Sequence, residues 1–584
     1  MNPLFYGATY VHLLLVMKQH KIFWVIFGLA LSGMILYFAL SKNHKIKGPV
    51  VYGGKLRFSS IENFQKLFPL SSNTLDYHRV QQLVFEPVLL ASNNSKGWDY
   101  NLAKSIKVST DKRKITVELR KHIFFADDAC FRFESQELTA ADLAFTLSYA
   151  CSSEPFNQQS HLLIGLIQGA ETYFKANHSP FEKTVSGIKV LSRYSLSIQL
   201  TGPYNHFLPL LSNNGLGVLS HKAGAYYKER LIDHPVGTGA FYLDSKEPTK
   251  LLFKRNTDYW KNDKYGNQLP YLEEVEVFVG VSSALEHRLF SENRSELLFD
   301  LPVNQLPKAF GTLQDAQQGK NPLHEVYIKP SSKIHYLYFN AMRGPLQNKL
   351  VRKAISLAIE PRSICANDLN GEGSPMIGHY IPERKGYQNE LLLAMQNELL
   401  QKSQADKNKE ARAYLVKAGY SKPDMFPVLS LAVGGPKNSV AAAWCRAVQQ
   451  MLLNNLGIRL RLIYNSSVSE NLYNTEIDIW RGGWVGDYPG EESYLRLFYS
   501  GAQKPLFYKN TKVDQYYLAS IFADDQSPMH KFSQKICESE IMNDYALIPI
   551  YTEDFFVLNK LSVRGFELSE SGIVDFSKIY LKPI

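Results

Sequence analysis

Cysteine is scarce in this chain. Five occur in 584 residues (Cys130, Cys151, Cys365, Cys445 and Cys537) and none forms a C-x-x-C pair, so neither a zinc knuckle nor a dense disulfide framework is available. Catalytic signatures are missing too: there is no G-x-S-x-G, H-E-x-x-H, G-x-x-x-x-G-K-[ST] or G-x-G-x-x-G. The commonest sequence routes to a hydrolase, zinc protease or nucleotide enzyme are therefore closed, and no cofactor is implied. Acidic residues are absent from the first 48 positions, where Lys18, Lys21, Lys42, Lys45 and Lys47 supply half of the net charge of +10. What remains is too mild and dispersed for the basic face that nucleic acid requires. The histidines are scattered singly and read as surface or packing residues. Asp127-Asp128 and Glu491-Glu492 are adjacent carboxylates that point to opposite faces when extended, so they read as solvated loop ends rather than as an acid/base pair.

What is present is the composition of a globular protein, 45% hydrophobic and 21% charged, long enough for roughly two to four domains. Residues 22–40 (IFWVIFGLALSGMILYFAL) form an uncharged run of 19. As a helix it reaches about 28 Å, close to one hydrocarbon core. Lysines and histidines flank it on both sides, so the charges do not select an orientation. An export signal is the rival reading, with Ala39-Leu40-Ser41 as a cleavage region, but the run exceeds the usual 7–15 residues and lysine follows at once. An uncleaved anchor fits better. Either reading exports the body.

From Val51 onward, short strand-like runs alternate with helical ones, the pattern of a mixed α/β protein. KLRF (55–58), KITVEL (114–119), SLSIQL (195–200), VEVFV (275–279) and RLRLI (459–463) read as strands. Thr139 and Asp142 form a capping box before an apolar run ending at Ala150, and residues 441–455 read as a helix stopped by Gly457. The polar stretch 401–410 reads as an exposed loop or helix end.

Four stretches carry more. The first runs from Asn101-Leu102-Ala103-Lys104-Ser105 to Leu138-Thr139-Ala140-Ala141-Asp142. The second joins Val236-Gly237-Thr238-Gly239-Ala240-Phe241 to Arg255-Asn256-Thr257-Asp258-Tyr259-Trp260. The third is Tyr336-Leu337-Tyr338-Phe339-Asn340 followed by Val351-Arg352-Lys353-Ala354-Ile355. The fourth is Arg481-Gly482-Gly483-Trp484-Val485-Gly486-Asp487-Tyr488. In this order, over residues 51–584, they resemble the family 5 extracellular solute-binding proteins, the oligopeptide- and dipeptide-binding components of ABC importers.

The resemblance implies a periplasmic-binding-protein-like two-lobe α/β fold (class II type) with an additional subdomain, behind an amino-terminal transmembrane helix or signal. It implies residues 1–48 as the membrane region, residues 51–75, 188–280 and 545–584 as lobe I, 76–187 as the subdomain and 281–544 as lobe II. It also implies a non-enzymatic, monomeric peptide receptor at the outer side of the inner membrane, docking on permease subunits. Peptides share only a backbone and two charged ends, so a general receptor pairs with main-chain groups and places countercharges at the termini. In the resembling receptors the aspartate of G-W-x-x-D-Y, here Asp487, holds the ligand α-amine. The preceding strand, here Gly482, Gly483 and Trp484, adds to the ligand backbone, and Arg481 falls where a cation meets the carboxylate end. Asn73, Thr74 and Leu75 stand at a second backbone edge, although Leu67-Phe68-Pro69 replaces the usual Leu-Asp-Pro upstream. Phe156 stands where the relatives place a cleft-facing tyrosine, a core phenylalanine being the other reading.

Three departures stand out. Pro489-Gly490-Glu491-Glu492 replaces the usual Asp-Pro after the fourth motif. An insertion before Leu138 carries Cys130, which in an oxidising compartment pairs with Cys151 or stays reduced beside it. A helical anchor without a lipid is the third. The alternative function is the same fold holding haem, a nickel chelate or an oligosaccharide, or serving as a membrane-anchored sensor.

Overall fold

The computed structural model describes residues 47–582 apart from 72–73, 93–96, 133, 300–323, 370–372, 383–386, 436, 438, 465–475, 487, 489, 502–506, 524–526 and 570. Residues 22–40 lie outside this set, and no helix among the described residues is long and apolar enough to cross a membrane. The chain divides into two compact units, residues 1–50 with 262–267, and residues 51–261 with 268–584. In the first, the Asn267 amide donates to Lys47 O (2.8 Å) and accepts from Lys47 N (3.0 Å).

The second unit is built on three principal sheets. The first orders Lys55–Ser59, Glu274–Phe278, Lys250–Arg255 and Phe241–Glu247, its first pair parallel and the others antiparallel. Alternation places Leu56, Phe58, Val275 and Val277 on the buried face. The second sheet is antiparallel and orders Ala103–Val108, Lys114–Leu119, Ser195–Gln199 and Ile188–Ser192. It therefore joins segment 188–199 to the 103–119 hairpin, across the boundary expected at 187/188.

The third and largest sheet has seven strands: β1 (Leu297–Phe299), β2 (His324–Phe339), β3 (Ser374–Pro375), β4 (Leu429–Ala432), β5 (Leu460–Ile463), β6 (Ile479–Trp484) and β7 (Leu547–Lys560). Their order is β1-β7-β2-β6-β4-β5, with β3 also on β7. Strand β7 thus belongs to the sheet of the 281–544 segment for its whole length. Both faces of this sheet are covered, which suits its run of apolar residues. One face (Leu337, Phe339, Leu431, Ile479, Ile550) packs with Val351, Leu415, Trp444 and Val448, and the other (Ile334, Tyr336, Tyr338, Trp480) with Tyr380, Val513, Tyr517 and Ile541.

Most of the motif residues brace this scaffold. Buried Glu86 accepts from Thr238 Oγ1 (3.1 Å), Tyr259 OH (3.0 Å) and Trp260 Nε1 (3.0 Å) and pairs with Lys261 Nζ (2.8 Å), tying the second motif's two halves together. Asp142 completes the capping box of helix Ala140–Ala150 and also accepts from His221 N at 2.9 Å. Arg352 bonds Leu346 O (2.8 Å) and Asp544 O (2.8 Å), and Asn340 donates to Ile477 O (3.2 Å). Buried charges and amides satisfied in this way hold elements in place. They are not free to meet a ligand.

Candidate functional site

Strand β6 differs from the other motif stretches. It pairs antiparallel with β2 from Phe339↔Ile479 to Ile334↔Trp484. On its other side β4 runs parallel but ends at Ala432, opposite Trp480. Residues 481–484 therefore continue with an edge to which no described strand is paired. An unpaired edge is a template for an extended guest chain.

The pleat sends Arg481 and Gly483 to one face, Gly482 and Trp484 to the other. The two glycines have different reasons to be glycine. A Cβ on Gly482 would lie 2.4 Å from the Tyr336 ring, so packing forbids a side chain there. A Cβ on Gly483 would meet nothing nearer than 3.6 Å, and its φ is not positive, so neither packing nor backbone requires glycine. Gly483 is exposed. Half-buried Trp484 donates from Nε1 to Ser493 O (3.1 Å) and packs on the core of its face. Arg481 donates from Nε to Val433 O (2.6 Å) and from Nη2 to Gly434 O (3.3 Å), which fixes its guanidinium just past the end of β4.

Of the other expected residues, Asp487 and Asn73 lie outside the described set. Thr74 is extended, but its hydroxyl accepts from Tyr77 N at 3.3 Å as the cap of helix Leu75–Gln81, so Leu75 opens a helix instead of forming a strand edge. The structure thus gives no second strand at 74–75; a threonine three residues before an aromatic amide is a good cap, and capping wins locally. Phe156 is not a core residue: it is 41% exposed. The Cys130–Cys151 bridge is not formed; all five cysteines are free, and burial pushes the Cys130 and Cys151 thiols well above their usual range. Glu492 is not a solvated loop end but buried, taking His530 Nε2 at 3.0 Å and Gln534 Nε2 at 2.6 Å.

Sequence reading missed His335. Its register partners are Gly483 on β6 and Tyr551 on β7, so the three form one row across the sheet. Two register shifts in the β2–β7 pairing bracket this position, between Pro330 and Ile334 and between His335 and Tyr336. The ring stacks on Tyr551 (4.3 Å, 11°) and its Nε2 meets Glu553 Oε2 at 2.8 Å, while Lys333 pairs with the other Glu553 oxygen. Burial lowers the His335 pKa, only partly offset by Glu553. Burial alone would raise Glu553, but Lys333 and His335 together hold it well below the usual carboxylate range. The dyad is therefore a neutral imidazole on a carboxylate. The only available signal was the alternation Lys333, His335 along a strand, which acquires meaning once the partner strands are known.

A polar depression of about 230 Å³ lies elsewhere, lined by Asp127, Asp128, Asp233, His234, Asp244 and Lys246. Its acids are engaged: Asp128 accepts from Tyr227 OH (2.8 Å), and Asp233 and Asp244 pair with Lys66 and Lys254. No cluster of metal-ligating side chains occurs among the described residues.

The sequence profile of the bacterial extracellular solute-binding proteins, family 5 (middle), matches residues 98–505. The chain is 23% identical over 496 residues to the oligopeptide-binding protein OppA of Bacillus subtilis, covering 82% of this chain and 84% of that protein. It is 24% identical over 481 residues to the probable D,D-dipeptide-binding periplasmic protein DdpA of Escherichia coli, covering 80% and 81%. Among solved structures, the Escherichia coli murein tripeptide binding protein MppA superposes with a TM-score of 0.76 at 20% identity, over 91% of this chain and 99% of that one. Haemophilus influenzae OppA in complex with RPPGFSPFR gives 0.74 at 20% identity, over 91% and 99%.

Proposed function

This chain belongs to the family 5 bacterial extracellular solute-binding proteins, and from that premise we propose that it captures peptides outside the cytoplasm and delivers them to an ABC importer. The observation that carries the reading is the unpaired edge of β6 at residues 481–484, with exposed Gly483 in its middle. A peptide laid along that edge gains main-chain hydrogen bonds independent of its side chains, the requirement for a receptor of mixed sequences. Relatives named for oligopeptides, a dipeptide and a murein tripeptide support the ligand class. Asp487 supplies the countercharge for the peptide's α-amine, and a ligand ammonium there offsets what an unpaired buried carboxylate costs. Residues 22–40 tether the receptor to the inner membrane on its periplasmic side, raising its concentration beside the permease. The lobes divide at the strands that cross between them, β2 and β7.

The test is a thermal-shift and calorimetric screen of a mixed library of short peptides, with haem, a nickel chelate and oligosaccharides as alternative cargo. A bound peptide stabilises by RT ln(1 + [L]/Kd), about 2.7 kcal/mol at a hundredfold excess over Kd. Asp487→Asn is expected to weaken peptide affinity at least tenfold. Stabilisation by a non-peptide cargo alone, or an Asp487→Asn protein that binds peptides as before, overturns the assignment.

A further inference from the structure

One corner beside the largest sheet carries an unbalanced charge. Residues 409–428 and 453–461 contain six cations (Lys409, Arg412, Lys417, Lys422, Arg459 and Arg461) against two carboxylates, Glu410 and Asp424. The fold brings the two segments together. Helices Gln404–Lys417 and Val440–Leu456 both end here. Arg412 Nη1 donates to Asn455 O (2.8 Å), a Cβ on Gly457 would lie 2.6 Å from Pro423 Cβ, and Leu429 N, at the start of β4, donates to Arg459 O (3.0 Å). Arg461 sits on β5, the last strand of the sheet. All six cations are exposed. Lys402 already holds Glu410 at 2.6 Å, and none of the six forms an ion pair among the described residues.

Apolar side chains stand among these charges. Val416, Met425, Val428 and Leu453 each keep between 45% and 55% of their surface exposed. Helical spacing puts Lys409, Arg412 and Val416 on one outward stripe, away from buried Ala411 and Leu415. Cations near helix C-termini complement the helix dipole, and cations on an edge strand discourage stray pairing. Neither effect calls for exposed valine, methionine and leucine beside them. A protein partner is met by an apolar centre with a polar rim. Here the two kinds of side chain interleave instead, Val416 before Lys417, Met425 after Lys422, and Val428 one residue from the Leu429 amide that bonds Arg459. Interleaving suits the headgroup layer of a bilayer, where phosphates take the cations and the acyl boundary takes the short apolar groups. We infer that this corner docks on an anionic lipid surface, its six cations on headgroup phosphates and Val416, Met425, Val428 and Leu453 just beneath them.

The test places an environment-sensitive fluorophore at the centre of the patch. The full chain carrying Met425→Cys is labelled and incorporated into nanodiscs of phosphatidylcholine, with or without phosphatidylglycerol. All five native thiols are buried or half-buried, and wild type treated in parallel supplies the background. With phosphatidylglycerol the emission is expected to shift to the blue, and to return to its phosphatidylcholine position when salt is raised from about 0.1 M to 1 M, which shortens the screening length from about 10 Å to about 3 Å. Each cation near an anionic surface is worth about fivefold, so adding Lys417→Gln, Lys422→Gln and Arg459→Gln together should lower the docked-to-undocked ratio about a hundredfold. Those three side chains are exposed and unpaired, so the fold is expected to keep its urea midpoint. A second probe at Leu191→Cys, as exposed as Val416 but on the second sheet, should not respond. The inference is overturned by no shift at 425, by equal shifts in the two lipids, by a shift at 191 of the same size, or by a triple variant that docks as before. A shift produced by polyglutamate but not by phosphatidylglycerol would also overturn it, and would assign the corner to an acidic polypeptide.

Discussion

His206 offers a quantitative check on how this protein responds to acid. It is 7% exposed and lies face to face with Tyr488, the residue after Asp487, at 5.4 Å and 18°. Its Nδ1 has no partner. The acid that acts on it, Glu492, is already engaged by His530 and Gln534. A proton on His206 would therefore be buried with little compensation. Burial drives its pKa from 6.5 down to about 4, with Glu492 opposing and Arg496 and His530 reinforcing the drop. The sign follows directly: between pH 6.5 and 4 the unfolded chain binds a proton here that the folded chain refuses, so stability is full above 6.5 and falls as pH falls. The slope is at most about 1.4 kcal/mol per pH unit and the accumulated loss about 3 kcal/mol. Urea denaturation of wild type and His206→Phe at pH 7.5, 6.5, 5.5 and 4.5 isolates the contribution, because other titrating groups are common to both. The difference between the two curves should change by about 3 kcal/mol across this range. Parallel curves would refute the argument and show that water or local opening solvates the charged ring.

Three further outcomes are expected. Gly482→Ala drives a methyl into the Tyr336 ring and should cost about 1–3 kcal/mol, whereas Gly483→Ala should stay within about 0.5 kcal/mol; equal urea midpoints for the two would show that the strand accommodates both. Glu86→Ala strands Lys261 and three further donors and should destabilise by about 3–5 kcal/mol, with Glu86→Gln recovering part of it in the same assay. Thiol titration of unreduced protein should find five reactive groups in denaturant and very slow reaction in the native state, since all five cysteines are free and four are buried; a count of three would mean that a bridge forms in the exported protein.

The strand and helix plan was readable from the sequence because it is written in local chemistry. The 114–119 strand, the Thr139–Asp142 cap and the helix halted at Gly457 all appear within a residue or two of expectation, Gly457 taking φ 72° as a left-handed terminator. The polar stretch at 401–410 falls at the junction of helices Leu393–Gln401 and Gln404–Lys417. What stayed hidden depends on distant partners. His335 and Glu553 are separated by 218 residues, and nothing near either one marks the pair. The motifs also mislead about role: the glycine, aromatic and aspartate signatures that single out the family largely brace the framework through Glu86 and Asp142, while the Arg481–Trp484 stretch runs past the end of its neighbour and leaves an edge of the largest sheet open. Thr74 shows the opposite, a purely local cap in extended conformation that no long-range resemblance reveals.

The ladder between β2 and β7 runs from His324↔Lys560 to Tyr338↔Leu547, yet its register slips twice, flanking His335. An irregularity of this kind bends its strand, raises the local twist and re-aims the side chains beside it. The two slips therefore set the aim of the Tyr551–His335–Gly483 row. That row ends at Gly483 on the open edge of β6, so the curvature of the ladder also sets the direction in which that edge faces.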